Sequence, residues 1–331
     1  MVVRAGAQRP RKGHEMQDPD SGSDALATVR VPASSANLGP GFDVLAVALD
    51  LPLVVHARPY NGRRVVTSGQ GAQELPHDDG NLIWRSVRAF CDVYGAEVPQ
   101  VTLHCENDIP LERGLGSSAA AAVAGLVLAR ELTGVAVGDQ DVIDLATQLE
   151  GHADNAAAAV MGGLVVAGRT GRARRFDPVR SLRPLVGIPP QRSATSATRG
   201  LVPSEVTLET MVGTVRRTTL VLAGLAGLTA WDPSTMLDEV HEPPRLATMT
   251  ESQDLLVAAR GAGYGACLSG AGPSVLVIAE TDDTAAVERL RDVAAADWRI
   301  EPLAWDRSGA CNDQPVGSVP DLEQPDSESS P

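Results

Sequence analysis

The sequence predicts an α+β fold in two parts. Strand-like and helix-like segments are mixed without the regular alternation of a doubly wound sheet, which favours α+β. The 331 residues suffice for two domains of ordinary size, and a Pro- and Arg-rich stretch, 177–190, reads as the crossing between them. No internal repeat is apparent. A tail is expected at 1–24, the first part over 25–178, the second over 179–307, and an acidic tail at 308–331.

Two β-rich runs, ATVRVPA and VLAVALDLPLVVHARP, fill 27–59 around a polar loop at 34–43. A helix is expected over 82–94 and a strand over 100–106. The segment 117–132 is almost uninterrupted Ala, Val and Leu, too apolar for a surface helix and so predicted buried. A short helix follows at 141–150, then a buried strand at 162–167. Beyond the crossing come helices near 204–227 and 249–261, a strand at 274–279, a helix at 282–296 and a last strand near 298–305.

Composition narrows the function. Hydrophobic residues make up 43% and aromatics 3%, so the core is expected to be aliphatic. The net charge of −14 disfavours a nucleic-acid partner, which calls for a clustered basic surface. No apolar run reaches the roughly 18 residues of a membrane span, and 1–13 is basic without the apolar stretch of a signal peptide, so no membrane partner and a cytoplasmic location are expected. Cys91, Cys105, Cys267 and Cys311 are far apart and form no CxxC pair, arguing against a zinc site or a disulfide framework. Residues 1–24 and 308–331 are polar and rich in Gly, Ser or Pro, and are expected to be disordered. Lys12, in the first of these, is the only lysine. Walker A loops and protein kinases each require a lysine on the phosphates, so both designs are excluded and phosphate chemistry must use backbone N–H groups, arginine and metal.

Four motifs carry candidate chemistry. In Pro110-Leu111-Glu112-Arg113-Gly114-Leu115-Gly116-Ser117-Ser118-Ala119-Ala120, glycines let the backbone approach a ligand just before a helix begins. A helix N-terminus with free N–H groups suits a triphosphate, and Ser117 or Ser118 can add a hydroxyl to phosphate or Mg²⁺. The same residues read equally as an N-cap, or as a weak match to a GxGxxG/A dinucleotide fingerprint. In Glu150-Gly-His152-Ala-Asp-Asn155, Glu150 is a possible hard oxygen ligand, and His152 and Asn155 possible substrate contacts; a solvated helix C-terminus would look the same. PASSANLGPGFD (32–43) holds Asn37 and Asp43 in a stiff turn, and SGAGPS (269–274) precedes a strand; turn chemistry alone could explain either.

Taken together in this order, PASSANLGPGFD, GLGSSAA, EGHADN and SGAGPSVLV resemble the GHMP kinase superfamily over residues 28–279. Two further segments, Thr195-Ser-Ala-Thr-Arg199-Gly-Leu-Val-Pro203 and His241-Glu-Pro-Pro-Arg245, look like those of its homoserine kinase branch, with Val202 where leucine is usual and Glu112-Arg113 where a small or basic pair is commoner. Paired arginines suit an amino acid's α-carboxylate.

The resemblance implies a two-domain fold, ribosomal protein S5 domain 2-like then ferredoxin-like, with the active site in the cleft between. It implies ATP and Mg²⁺ as cofactors, L-homoserine and ATP as partners, and room for a homodimer. Asn37, Asp43, His152, Asn155, Arg199 and Arg245 would hold homoserine, Ser118 and Glu150 Mg²⁺, and Asn81 with 110–120 the nucleotide. Asn155, Glu150 and Arg199 would serve catalysis. Asparagine cannot take the hydroxyl proton, so Asn155 would orient the hydroxyl and the proton would pass to phosphate or solvent. Another GHMP-type kinase, a dinucleotide-dependent oxidoreductase and a non-catalytic metabolite-binding module stay open as alternatives.

Overall fold

A computed structural model describes residues 25–168, 171–193 and 198–312. The chain builds two sheets. The first holds β1 (Ala27–Ala36), β2 (Leu45–Pro59), β3 (Val65–Gly69) and β4 (Val101–Asn107), joined by β5 (Leu164–Val166), β6 (Arg174–Phe176) and β11 (Cys311–Asn312). Its main path runs β11-β1-β2-β4-β3, with β5 paired to β2 and β6 to β5. Only the β3–β4 pair is parallel.

Helices α2 (Ser117–Thr133) and α4 (Ala153–Met161) pack against this sheet, and α1 (Leu82–Tyr94) and α3 (Asp139–Glu150) pack against α2. Helix α1 is amphipathic, turning Trp84, Val87 and Phe90 inward. Helix α2 is the buried helix its composition predicts: the stretch from Ala122 to Ala129 is wholly enclosed. An Ala-rich helix suits that place, because small side chains let helices approach closely.

The second sheet is antiparallel, ordered β10-β7-β9-β8 from β7 (Leu182–Ile188), β8 (Gly265–Leu268), β9 (Val275–Glu280) and β10 (Arg299–Pro302). Numbered within that half, the order is 4-1-3-2, the ferredoxin-like arrangement the resemblance implies. Between β7 and β8 lie α5 (Leu208–Leu225), a 3₁₀ turn (Pro233–Met236), α6 (Glu242–Leu246) and α7 (Thr250–Gly261); α8 (Ala286–Arg291) precedes β10.

Several expectations are corrected. The 177–190 stretch is not a plain crossing, because it contains β7, hydrogen-bonded to β9 on one side and β10 on the other. Pro184 hid this strand, yet proline survives there: its carbonyl still accepts from Leu303 N (3.1 Å), and the β7–β10 register begins one residue later. The apolar run after Glu150 forms a helix, α4, before the strand begins. The last helix is six residues rather than the long one expected over 282–296. Residues 308–312 do not belong to a disordered tail: the segment 304–312 returns to the first sheet, where Asp306 N donates to Ala48 O and β11 pairs with β1. The expected tails at 1–24 and 313–331 lie outside the described residues.

Among the described residues no helix is long and apolar enough to cross a membrane. Cys91, Cys105 and Cys267 are buried free thiols, and burial pushes Cys105 up to about 12.

Candidate active site

A cavity of about 770 Å³ lies at the N-terminus of α2, between the first sheet and the segments of the second half that carry Arg192, Arg199, Arg245 and Gly270. The wall formed by 110–119 is shaped by two glycines. Gly114 (φ 70°) and Gly116 (φ 69°) occupy the left-handed region, and both are sterically locked: a Cβ on Gly114 would fall 2.0 Å from Ser269 O, and one on Gly116 2.0 Å from Ser34 Oγ. Gly116 is the N-cap of α2 and makes no side-chain cap, so the first-turn N–H groups of Ser117, Ser118 and Ala119 keep their donors for something else.

The loop is laced to its surroundings. Ser34 N donates to Leu115 O (3.1 Å), Ser269 Oγ to Gly114 O (2.7 Å), and Gly270 N to Ala36 O (3.1 Å). Arg113 is bound from all sides: Nε donates to Pro189 O, Nη1 to Leu111 O and Nη2 to Pro190 O. Its guanidinium is therefore a clamp between the loop and the second half of the chain.

At the other end of the cavity the turn after β1 holds Asn37 at φ 74° and Asp43 at φ 57°, conformations that short polar side chains tolerate best. Asn37 Nδ2 donates to Gly270 O (2.7 Å) while its Oδ1 accepts from Asp43 N (3.1 Å). Asp43 in turn receives both terminal nitrogens of Arg199, one at 3.1 Å, and this bidentate pair raises the guanidinium's pKa further.

Arg245 is fully buried on α6. Nη1 meets His241 Nδ1 (3.0 Å) and Gly270 O (3.3 Å), whereas Nε is buried without a hydrogen-bond partner among the described residues. His241 Nε2 lies 2.8 Å from Gly39 O, and a carbonyl can only accept, so Nε2 carries the proton and Nδ1 accepts from the arginine. Burial lowers the pKa of His241, in keeping with that neutral ring. Burial also lowers that of Arg245, and Asp43 opposes the shift. Asp238 secures the element by accepting the N–H groups of Val240, His241 and Glu242.

Between the arginines stands Phe42. Its ring stacks on His241 (centroids 5.0 Å apart), with Arg245 Cζ 5.3 Å and Arg199 Cζ 5.6 Å from its centre, both within cation–π range.

On the third side, α3 ends at Glu150 and His152 is the N-cap of α4, with Gly151 (φ 82°) making the corner. Asn155 Oδ1 accepts from Ser34 Oγ (2.8 Å). Asp154 is 2% exposed and accepts from Asn155 N (2.8 Å). Burial raises its pKa and Asp43 adds to the rise.

Every residue that the resemblance assigns to the site lines this cavity except Ala120, which is fully buried on the core face of α2. Thr195 lies outside the described residues. Asn81 lines the cavity, but its amide is engaged locally: Oδ1 caps α1 through Ile83 N (3.0 Å) and Nδ2 donates to Pro76 O (2.7 Å). The sequence reading missed Ser34, Phe42 and Asp154. Asp154 sits inside a motif already quoted, and its two polar neighbours were the available signal. Phe42 and Ser34 carry no signal by themselves, since their partners lie far away in the chain.

Models of known families agree with this geometry. The GHMP kinases N terminal domain matches residues 81–163 and the GHMP kinases C terminal domain matches 225–296. A homoserine kinase of Streptomyces coelicolor is 38% identical over 294 residues, covering 86% of this chain and 94% of that protein. One of Leifsonia xyli is 39% identical over 297 residues, covering 87% and 92%. The crystal structure of homoserine kinase from Cytophaga hutchinsonii superimposes with a TM-score of 0.76 at 25% identity, covering 86% of this chain and 96% of that one. With its glycine loop at the start of α2, both family models and these relatives in agreement, the chain belongs to the homoserine kinase family of the GHMP kinases.

Proposed function

We infer that the chain transfers the γ-phosphoryl group of ATP to the side-chain hydroxyl of L-homoserine, giving O-phospho-L-homoserine for threonine synthesis. The observation that carries the acceptor is Arg245: a buried cation with an unpaired N–H beside Arg199, opening into the cavity that holds the phosphate loop. A buried charge without a partner is costly, and a ligand carboxylate removes the cost. Asp43 places a carboxylate on the same cavity wall, which suits the ammonium of the same amino acid. One zwitterion thus answers both sets of charges.

The reaction needs alignment and charge neutralisation more than covalent help. The α2 N-terminus and the loop's N–H groups face the triphosphate. Asn155, its carbonyl tied to Ser34, presents Nδ2, which makes one long bond to Asp154 Oδ1 (3.5 Å) and has a second N–H, a donor able to orient an oxygen but not to accept a proton. Glu150 and Ser118 line the same cavity and would hold Mg²⁺. A carboxylate and a hydroxyl are hard oxygen donors, and so small a set leaves positions for phosphate and water, as Mg²⁺ prefers. When bound, Mg²⁺ supplies positive charge against the phosphate oxygens.

The dinucleotide reading finds no support in the geometry. That fingerprint requires a strand turning straight into the glycine loop, whereas β4 ends at Asn107, well before Gly114. The test is a coupled ATPase assay with homoserine, threonine, serine and mevalonate as acceptors, alongside an NADH and NADPH titration. Homoserine-dependent turnover is expected; turnover with another acceptor alone, or none with ATP, would sink the reading.

A further inference from the structure

Four arginines line the cavity among the described residues: Arg113, Arg192, Arg199 and Arg245. The proposed acceptor end accounts for Arg199 and Arg245. Arg113 has its guanidinium committed to three carbonyls. Arg192 differs from all of them. It follows β7 on the short segment that Arg113 pins through Pro189 and Pro190, and the next residue donates from Ser193 N to Glu112 O (2.9 Å), so its backbone is held against the phosphate loop. Its side chain is 41% exposed and makes a bidentate pair with Glu74, itself 44% exposed, one contact being 2.7 Å. Glu74 also lines the cavity.

An exposed ion pair is weak and easily exchanged. Guanidinium binds phosphate in the same forked geometry as carboxylate, and a triphosphate offers more charge than one glutamate. No lysine lies among the described residues to meet the nucleotide's charge.

We propose that Arg192 is the exchangeable cation of the phosphate subsite: on nucleotide binding it leaves Glu74 for an oxygen of the β- or γ-phosphate. Glu74 is then a resident carboxylate that competes with the nucleotide and keeps the arginine in place when the cavity is free of ATP. This rests on the kinase reading above, but concerns one side chain of the nucleotide end.

The experiment measures ATP, ADP and AMP binding by calorimetry, with KM values for ATP and homoserine and melting temperatures, for the wild type, Arg192→Ala, Arg192→Lys, Glu74→Gln and the double variant Arg192→Ala/Glu74→Gln. Arg192→Ala is expected to weaken ATP and ADP about tenfold, the scale of one charge-assisted contact, while AMP and the KM for homoserine stay within about twofold; Arg192→Lys should recover part of the loss. Glu74→Gln should tighten ATP about threefold by removing the competitor, and the double variant should match Arg192→Ala. Unchanged ATP binding in Arg192→Ala, an equal loss for AMP, or a loss of ATP affinity in Glu74→Gln that parallels a fall in melting temperature would overturn the proposal, the last by showing a structural strap. Absence of ATP binding to the wild type would instead strike the kinase reading itself.

Discussion

Ser34 Oγ donates to Asn155 Oδ1 at 2.8 Å, joining the end of β1 to the first turn of α4 across 121 residues. The bond fixes the amide's orientation, with Oδ1 toward Ser34 and Nδ2 toward Asp154 (3.5 Å). Ser34→Ala is expected to lower kcat about tenfold, the worth of one positioning hydrogen bond, with the KM for homoserine nearly unchanged. Asn155→Ala should lose at least as much, and combining the two should add little, because they act as a unit. Additive losses would show that the serine acts independently.

Gly116→Ala places a methyl group where Ser34 Oγ now sits, on a residue at φ 69°. The cost is expected to be about 1–3 kcal/mol of stability, read as a lowered melting temperature, together with weakened ATP binding as the loop shifts. Gly134 also has positive φ but meets open space, so Gly134→Ala should lower stability without touching ATP affinity.

Arg245→Ala is expected to raise the KM for homoserine about 100-fold, as loss of a buried charge-assisted contact does, leaving the KM for ATP within about threefold. Arg199→Ala should act in the same direction more weakly, since its pair with Asp43 is exposed. A change confined to ATP would contradict the assignment of this end of the cavity.

Glu150→Ala should remove most turnover, about 100-fold or more, without changing the melting temperature by more than about 2 °C. A rise in the Mg²⁺ concentration needed for half-maximal rate is the accompanying signature. Near-normal turnover would refute the metal role.

Glu242 is 1% exposed, and burial raises its pKa to about 7 against the opposing pull of Arg260 and the Leu268 N–H. The folded state therefore holds a proton that the unfolded state releases near its usual value of 4.5. Between these values the native state binds more protons, so stability is greatest at the acid side and falls as pH rises from about 4.5 to 7, by roughly 3 kcal/mol. Chemical denaturation across that window should show the decline, and Glu242→Gln should flatten it. A wild-type stability that rises with pH there would overturn the assignment.

The loop from Gly114 to Ser118 was legible because its signals are local: left-handed glycines, a helix start without a side-chain cap, and a long apolar helix behind it. The first turn after β1 was legible for the same reason, with Asn37 and Asp43 in a Gly- and Pro-rich frame. Strand β7 was not legible, since Pro184 breaks the local pattern and only its neighbours β9 and β10 show that its carbonyl is still used. Helix α4 was not legible either: a run of alanines has no polar face to reveal a period, and its burial comes from α2 and the first sheet on either side.

The sequence by itself determined the α+β class, the family and about half of the residues that line the cavity, because glycines, helix starts and motif order are properties of neighbouring positions. Only the tertiary structure decided what those residues are free to do. It committed Arg113 to the carbonyls of Pro189 and Pro190, turned the amide of Asn155 toward Ser34, set Phe42 between two arginines, and left Arg245 buried with an unanswered donor. Each of these depends on a partner distant in the chain, and hydrogen-bonding capacity is spent or spared only once the fold has brought that partner within about 3 Å.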